Sequence, residues 1–283
     1  VTRLEQLTPV VTFHGEGPVW DPAAERLLCV DMLAGAVLSV DADGAVARHA
    51  VGDVAACVRP RAGGGYVVAV ERGFALLDAL DDPDPDLLPP LWSDPGVRMN
   101  EGGCDPQGRF WCGSMAYDAA EGAGTLWRLD PDGTVLAALS GVTISNGLAW
   151  RPDGTALYVD TPTQRIDVLA FDEAGLVASR TPFVEVPEDA GSPDGLVLDA
   201  EGGAWVALHG GGAVHRYDAD GRLSEVLEVP TPQPTAVTFG GPDLRDLYVT
   251  TSRQGLGDED RVAGSLHVAR PGVAGVPVLP FAG

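Results

Sequence analysis

Basic side chains are scarce in this sequence. Of its 283 residues, 18 are Lys or Arg against 41 Asp or Glu, a formal net charge of −23. A surplus of that size repels nucleic-acid phosphates and anionic membrane surfaces, so neither is expected as a partner. It suits cations, although a large acidic excess also serves solubility alone. Long apolar runs are missing as well: none approaches the ~18 residues that a membrane-spanning helix needs. The opening Val1-Thr2-Arg3-Leu4-Glu5 lacks the shape of a signal peptide. Only four cysteines occur, Cys29, Cys57, Cys104 and Cys112, with no CxxC pair. Three of them sit in apolar stretches, which favours buried reduced thiols over disulfides or zinc ligands and makes a cytoplasmic setting the expectation. The nucleophile elbow GxSxG, the phosphate loop GxxxxGK[ST], a helix-opening GxGxxG, HExxH and His-x-His are all absent.

What is plentiful is turn chemistry. The chain holds 37 Gly and 23 Pro spread along its length, and apolar residues make up 45% of it. That fraction can bury a core, and frequent turn-formers between short apolar runs predict many short strands. The strands repeat. Trp20-Asp21-Pro22 precedes Arg26–Asp31, and Cys104-Asp105-Pro106 precedes Arg109–Gly113. Trp150-Arg151-Pro152 precedes Ala156–Asp160, and Leu198-Asp199-Ala200 precedes Ala204–Leu208. Weaker copies lead from Val58-Arg59-Pro60 to Tyr66–Val70 and from Phe239-Gly240-Gly241 to Asp246–Thr250. Anchors taken at 21, 59, 105, 151, 199 and 240 are spaced by 38, 46, 46, 48 and 41 residues. This is the period of a four-stranded propeller blade. The expectation is an all-β six-bladed β-propeller with a metal site on its central axis, one domain over residues 1–283. A two-sheet sandwich is the structural alternative, but it does not predict the period.

The innermost strand of each blade lines the axial channel. Five residues before each anchor the sequence reads Glu16, Val54, Asn100, Asn146, Asp194 and Thr235. A purely structural repeat would carry small or apolar residues there, and four of the six are carboxylates or carboxamides. Such oxygens converging on an axis need water, each other or a cation. An all-oxygen set with no Cys or His favours a hard cation such as Ca²⁺, Mg²⁺ or Mn²⁺ over zinc, and its low ligand count leaves an open position. Arg98, two residues before Asn100, shares that mouth of the channel, to bind a substrate oxygen or to pair with Glu101. Asp118 follows the second strand of its blade, as does His209, which can face the pocket; His215 alternates with apolar neighbours and reads as structural. Asp81–Asp86 reads as an acidic, proline-rich surface loop.

Taken together, Gly15-Glu16-Gly17-Pro18-Val19-Trp20, Arg98-Met99-Asn100-Glu101-Gly102, Gly113-Ser114-Met115, Ile144-Ser145-Asn146-Gly147-Leu148 and Pro193-Asp194-Gly195-Leu196 resemble the SMP-30/gluconolactonase/LRE-like family, in order and along essentially the whole chain. The resemblance implies a six-bladed propeller holding one catalytic divalent cation. Its ligands would be Glu16, Asn146 and Asp194, positions the ring had already selected. It implies substrate contacts at Arg98, Asn100 and Asp118, and hydrolysis of a sugar lactone. Ca²⁺ is the expected cation, with Zn²⁺, Mn²⁺, Mg²⁺ and Fe²⁺ as alternatives. The chemistry then assigns Asp194 as general base toward water. Two positions depart from the family pattern, Glu101 where relatives commonly carry Asp, and His209; both bear on the identity of the substrate. The expected partner is a small-molecule lactone, and the expected state a monomer or weak homo-oligomer. The rival readings are a hydrolase of another ester, a non-sugar lactone or an organophosphate on the same site, and a non-catalytic calcium-binding protein.

Overall fold

Alternating apolar strands broken by Gly and Asp turns fold into six four-stranded antiparallel sheets in a computed structural model that describes residues 2–283. The inner strands of blades 1 to 6 are Gly15–Asp21, Ala55–Pro60, Val97–Cys104, Ser145–Trp150, Ser192–Leu198 and Pro234–Gly240. Each packs against the inner strands of its two neighbours, so the blades close into a ring. The expected period is therefore the blade period, and the sandwich alternative falls. The last blade is built from both ends of the sequence: Glu5–Gln6 pairs with His267–Ala269, which follows Asp246–Thr251 and the inner strand. A two-residue strand carries no apolar period, which is why this closure is silent in the sequence.

The hydrophobic core is divided among the gaps between blades. Trp111 and Leu126 of blade 3 meet Leu148, Tyr158 and Leu169 of blade 4. Leu157 and Ile166 of blade 4 meet Leu196 and Val206 of blade 5. Trp205 and Val214 meet Val237 and Phe239 of blade 6, and Trp20 and Leu27 of blade 1 meet Tyr248 and Leu266. Blades 1 to 3 share one larger cluster containing Leu28, Val58, Met99 and Phe110. Apolar burial thus holds blade to blade and leaves the axis free for polar groups. The anchor aspartates turn out to be structural. Asp105 accepts from Trp111 Nε1 and Arg109 Nε, and Asp199 repeats this with Trp205 Nε1 and Arg216 Nε. All four cysteines are free and buried.

Every inner strand loses register with its neighbour at or next to the predicted ring position. The shifts fall between Glu16 and Val19, Ala55 and Cys57, Met99 and Gly102, Ser145 and Leu148, Pro193 and Leu196, and Pro234 and Val237. In four blades two residues, the first of them the ring residue, stand opposite one. Such bulges bend a strand and re-aim a side chain. Close approach excludes a side chain after the ring residue in blade 4: at Gly147 a Cβ would lie 2.7 Å from the Asp194 carbonyl oxygen and from Leu196 Cγ.

Beyond blade 6 the chain crosses the far end of the channel. It leaves through Gly275, whose N–H donates to the Leu244 carbonyl, and docks through Phe281, whose N–H donates to the Pro60 carbonyl. Val276, Pro277, Val278 and Leu279 lie between these anchors and line the lower channel, and Phe281 is buried in the blade 1–3 core.

Candidate active site

Two blades enter the ring by the same device. Asp31 and Asp160 each end the second strand of their blade. Asp31 Oδ1 accepts the N–H groups of Phe13 and His14, and Asp160 Oδ1 accepts those of Thr143 and Ile144. In both cases the bonded groups lie three and two residues before the ring residue, Glu16 or Asn146. The backbone is therefore fixed before the chain reaches the axis.

The structure brings four of the expected site residues together, with Arg98 beside them. Glu16, Asn100, Asn146, Asp194 and Arg98 are each between 3% and 6% exposed. A directional hydrogen-bond chain connects three blades. Arg98 Nη1 donates to Asn100 Oδ1 (2.7 Å), and Asn100 Nδ2 donates to Asn146 Oδ1 (2.6 Å) and to the Ser145 carbonyl (2.9 Å). Asn146 Nδ2 donates to Thr161 Oγ1 (2.7 Å), which donates to the Pro193 carbonyl (2.8 Å), next to Asp194. A guanidinium can only donate, so it fixes the orientation of both amides down the chain. Both carboxamide oxygens keep a second lone pair. The other two ring members are inert: Val54 is apolar, and the Thr235 hydroxyl bonds the Gly15 carbonyl and Thr250 Oγ1.

Arg98 does not pair with Glu101. Its Nη1 also donates to the Met99 carbonyl and contacts Met32 Sδ, its Nε has no partner, and the Tyr117 ring lies 5.7 Å away. Tyr117 is itself held by its hydroxyl, which donates to Glu71 Oε1 (2.9 Å). Asp118 stands apart. It is exposed on the next loop, and its Oδ1 accepts the Ala120 N–H. His209 ends the second strand of blade 5, opposite Ser192, and is partly buried. His14 Nδ1 bonds Ser252 Oγ (2.7 Å) while its Nε2 faces Glu16 Oε1 at 3.9 Å.

The electrostatics are those of buried like charges. Burial pushes Glu16 up to about 7, against the Gly17 N–H and Arg98, which favour its ionised form. Asp194 is driven well above the usual carboxylate range by burial and then by the charges of Glu16 and Glu101. Burial and the Arg98 charge press His14 down to about 3, so it is neutral at ordinary pH. A positive charge among these carboxylates would restore their ionised forms. The residues fit such a group: Asp194 Oδ1 and Glu101 Oε2 are buried without a partner, and every donor is an oxygen. Among the described residues, no three His, Cys, Asp or Glu side chains form a metal-holding group. A cation here would be held by two carboxylates with the Asn146 carboxamide.

Residues 14–253 match the SMP-30/gluconolactonase/LRE-like region. The chain belongs to this family. A pentonolactonase of Haloferax volcanii is 40% identical over 253 residues, 88% of this chain and 84% of its own. A 6-deoxy-6-sulfogluconolactonase of Pseudomonas putida is 34% identical over 276 residues, 95% of each chain. The crystal structure of a calcium-binding protein, regucalcin, from Agrobacterium tumefaciens matches with a TM-score of 0.90 at 30% identity, covering all of this chain and 97% of that one. Within the family fold, Thr161, Ser252 and Tyr117 are site neighbours that the sequence reading did not select. Thr161 had a usable signal, since it follows Asp160 at the ring end of its blade; Ser252 and Tyr117 are brought in only by packing.

Proposed function

We propose that this protein is a divalent-metal-dependent hydrolase that opens the ester ring of a sugar lactone. The observation that carries the reading is the buried axial ring, in which Arg98 holds Asn100, Asn100 holds Asn146, and the charges of Glu16 and Asp194 act on one another. The names of its lactonase relatives agree with it. Glu16, Asn146 and Asp194 would hold the cation, Ca²⁺ by preference for an all-oxygen site. When bound, it polarises the lactone carbonyl and stabilises the negative charge that develops on its oxygen.

The chain's own residues supply the rest. Asp194 Oδ1, free of internal partners, takes a proton from the attacking water as the new carbon–oxygen bond forms. The ring C–O bond then breaks, and that proton passes to the leaving ring oxygen, which becomes a hydroxyl. The new carboxylic acid loses its own proton to solvent. Arg98 and Asn100 orient the sugar hydroxyls and so contribute proximity. Asp118, at the exposed rim, would reach only a substrate group that projects out of the channel.

The test is lactone hydrolysis by pH indicator on metal-stripped protein, with Ca²⁺, Mg²⁺, Mn²⁺, Zn²⁺ or Fe²⁺ returned, on gluconolactone and pentonolactones. Turnover that appears only with added cation supports the reading. Cation binding without hydrolysis of lactones or of a panel of other esters and organophosphates would instead support the calcium-binding reading, which the regucalcin likeness favours.

A further inference from the structure

One layer beneath the ring, the six inner strands carry Gly17, Ala55, Glu101, Gly147, Gly195 and Ala236. Five are Gly or Ala, so this layer of the axis holds a single large side chain. Gly195 shows how little room remains. A Cβ there would lie 2.3 Å from that of Ala236 and 3.1 Å from Glu101 Oε1. Glu101 belongs to blade 3 and Gly195 to blade 5, so the carboxylate reaches across the channel.

Glu101 is 5% exposed and its Oε2 has no hydrogen-bond partner. Arg59, from blade 2, lies on the lower side but gives its guanidinium to the Val58 and Gly102 carbonyls. Below Glu101 is a cavity of about 110 Å³, lined also by Arg59, Cys104, Thr238 and Val276–Leu279. Water needs only ~10–15 Å³ of such space, so a polar pocket of this size can hydrate the free oxygen. The charges of Glu16 and Asp194 oppose ionisation of Glu101, and burial does so more strongly. At this depth the carboxyl keeps its proton unless positive charge answers it; Arg59 supplies part of that charge, and an ion in the ring would supply more. Among the described residues no three acidic side chains form one metal-holding group, and Glu101 lies one residue below the ring, which places it at one remove from Glu16 and Asp194.

We infer that Glu101 is the floor of the cation site, an outer-sphere carboxylate that holds water beneath the ion, sets the site's affinity and blocks passage further down the channel. This rests on the reading of Glu16, Asn146 and Asp194 as ligands. Outer-shell partners of bound metals are worth about 10–100-fold in affinity.

The experiment is calorimetric titration of Ca²⁺ and Mn²⁺ into chelator-stripped wild type, Glu101→Gln and Glu101→Asp, with thermal melts of each in the metal-free and saturated states. The isosteric Glu101→Gln is expected to bind both ions about 10–100-fold more weakly. Its melting temperature gains less than that of wild type on saturation with the ion. Glu101→Asp keeps the charge and falls between the two; it carries the test if the Gln variant does not fold. Equal affinities in all three proteins would overturn the inference. A wild type that binds neither ion would remove the ligand reading and this inference with it, an outcome distinct from equal binding.

Discussion

At the scale of single residues, the site works because each polar group has its orientation imposed by another. Asp194 keeps one ring oxygen, Oδ1, without a partner, and it is the group assigned the proton. Asp194→Asn keeps the shape and removes the base, so kcat should fall by about 10²–10⁴-fold. Near-normal turnover by a folded, metal-loaded variant would end that assignment. Thr161→Val tests the hydrogen-bond chain. It removes the acceptor of Asn146 and the donor to the Pro193 carbonyl at nearly constant volume. Leaving both groups unpaired should cost roughly 1–3 kcal/mol of stability. Activity should fall with it, because Asn146 is then free to rotate; an unchanged kcat would mean that the chain is ornamental. The ring residues were legible in the sequence because five-residue offsets from a repeated anchor are insensitive to errors at strand ends. Glu101 was visible only as a departure from a family pattern, since its significance depends on what the other five blades place in the same layer.

Individual strands show how a repeat is turned into a site. The register shifts sit where the sequence has Glu16-Gly17, Asn146-Gly147 and Asp194-Gly195; close approach requires glycine at 147 and 195, and a φ of +50° favours it at 17. Gly147→Ala would drive a methyl group into the Asp194 carbonyl and the Leu196 side chain, both at 2.7 Å. The expected result is a destabilisation of about 1–3 kcal/mol, as for other overpacked positions. Cation affinity should drop too, because the backbone that must yield carries Asp194. A melt and a calcium titration on the same sample check both, and a stable variant with intact affinity would refute the packing argument. The glycines were readable, but the bulges were not, since register is a property of paired strands and one strand's sequence does not contain it.

The whole molecule is held closed by chain ends that carry little signal of their own. Glu5–Gln6 supplies the outer strand of blade 6, and the Leu7 and Thr8 N–H groups both donate to the Leu266 carbonyl. Deleting residues 1–7 should open an unpaired edge there and lower the melting temperature by several degrees, at ~2–4 °C per kcal/mol for domains of 150–250 residues. No change on deletion would show that closure adds nothing. The same blade buries His267, whose ring nitrogens both lack partners and whose pKa burial lowers from 6.5 to about 4. Between those values the unfolded chain binds the proton and the folded one does not. This contribution is therefore complete above pH 6.5 and is lost as the pH falls toward 4, by at most roughly 3 kcal/mol. His267→Leu should flatten that part of the stability curve relative to wild type. Parallel curves would show that the imidazole is not the titrating group.

The sequence alone determined the blade count, the strand chemistry and the ring of oxygen donors, because each follows from local pattern repeated about every 45 residues. It could not decide which ring members face each other, that Arg98 turns to Asn100 rather than Glu101, or that Asp118 stays at the rim. Nor could it place the N-terminal strand in the last blade, or the C-terminal strap beneath the axis. These depend on contacts between residues far apart in the chain. Closure of the ring brings them together, and no local pattern records the distance between two blades.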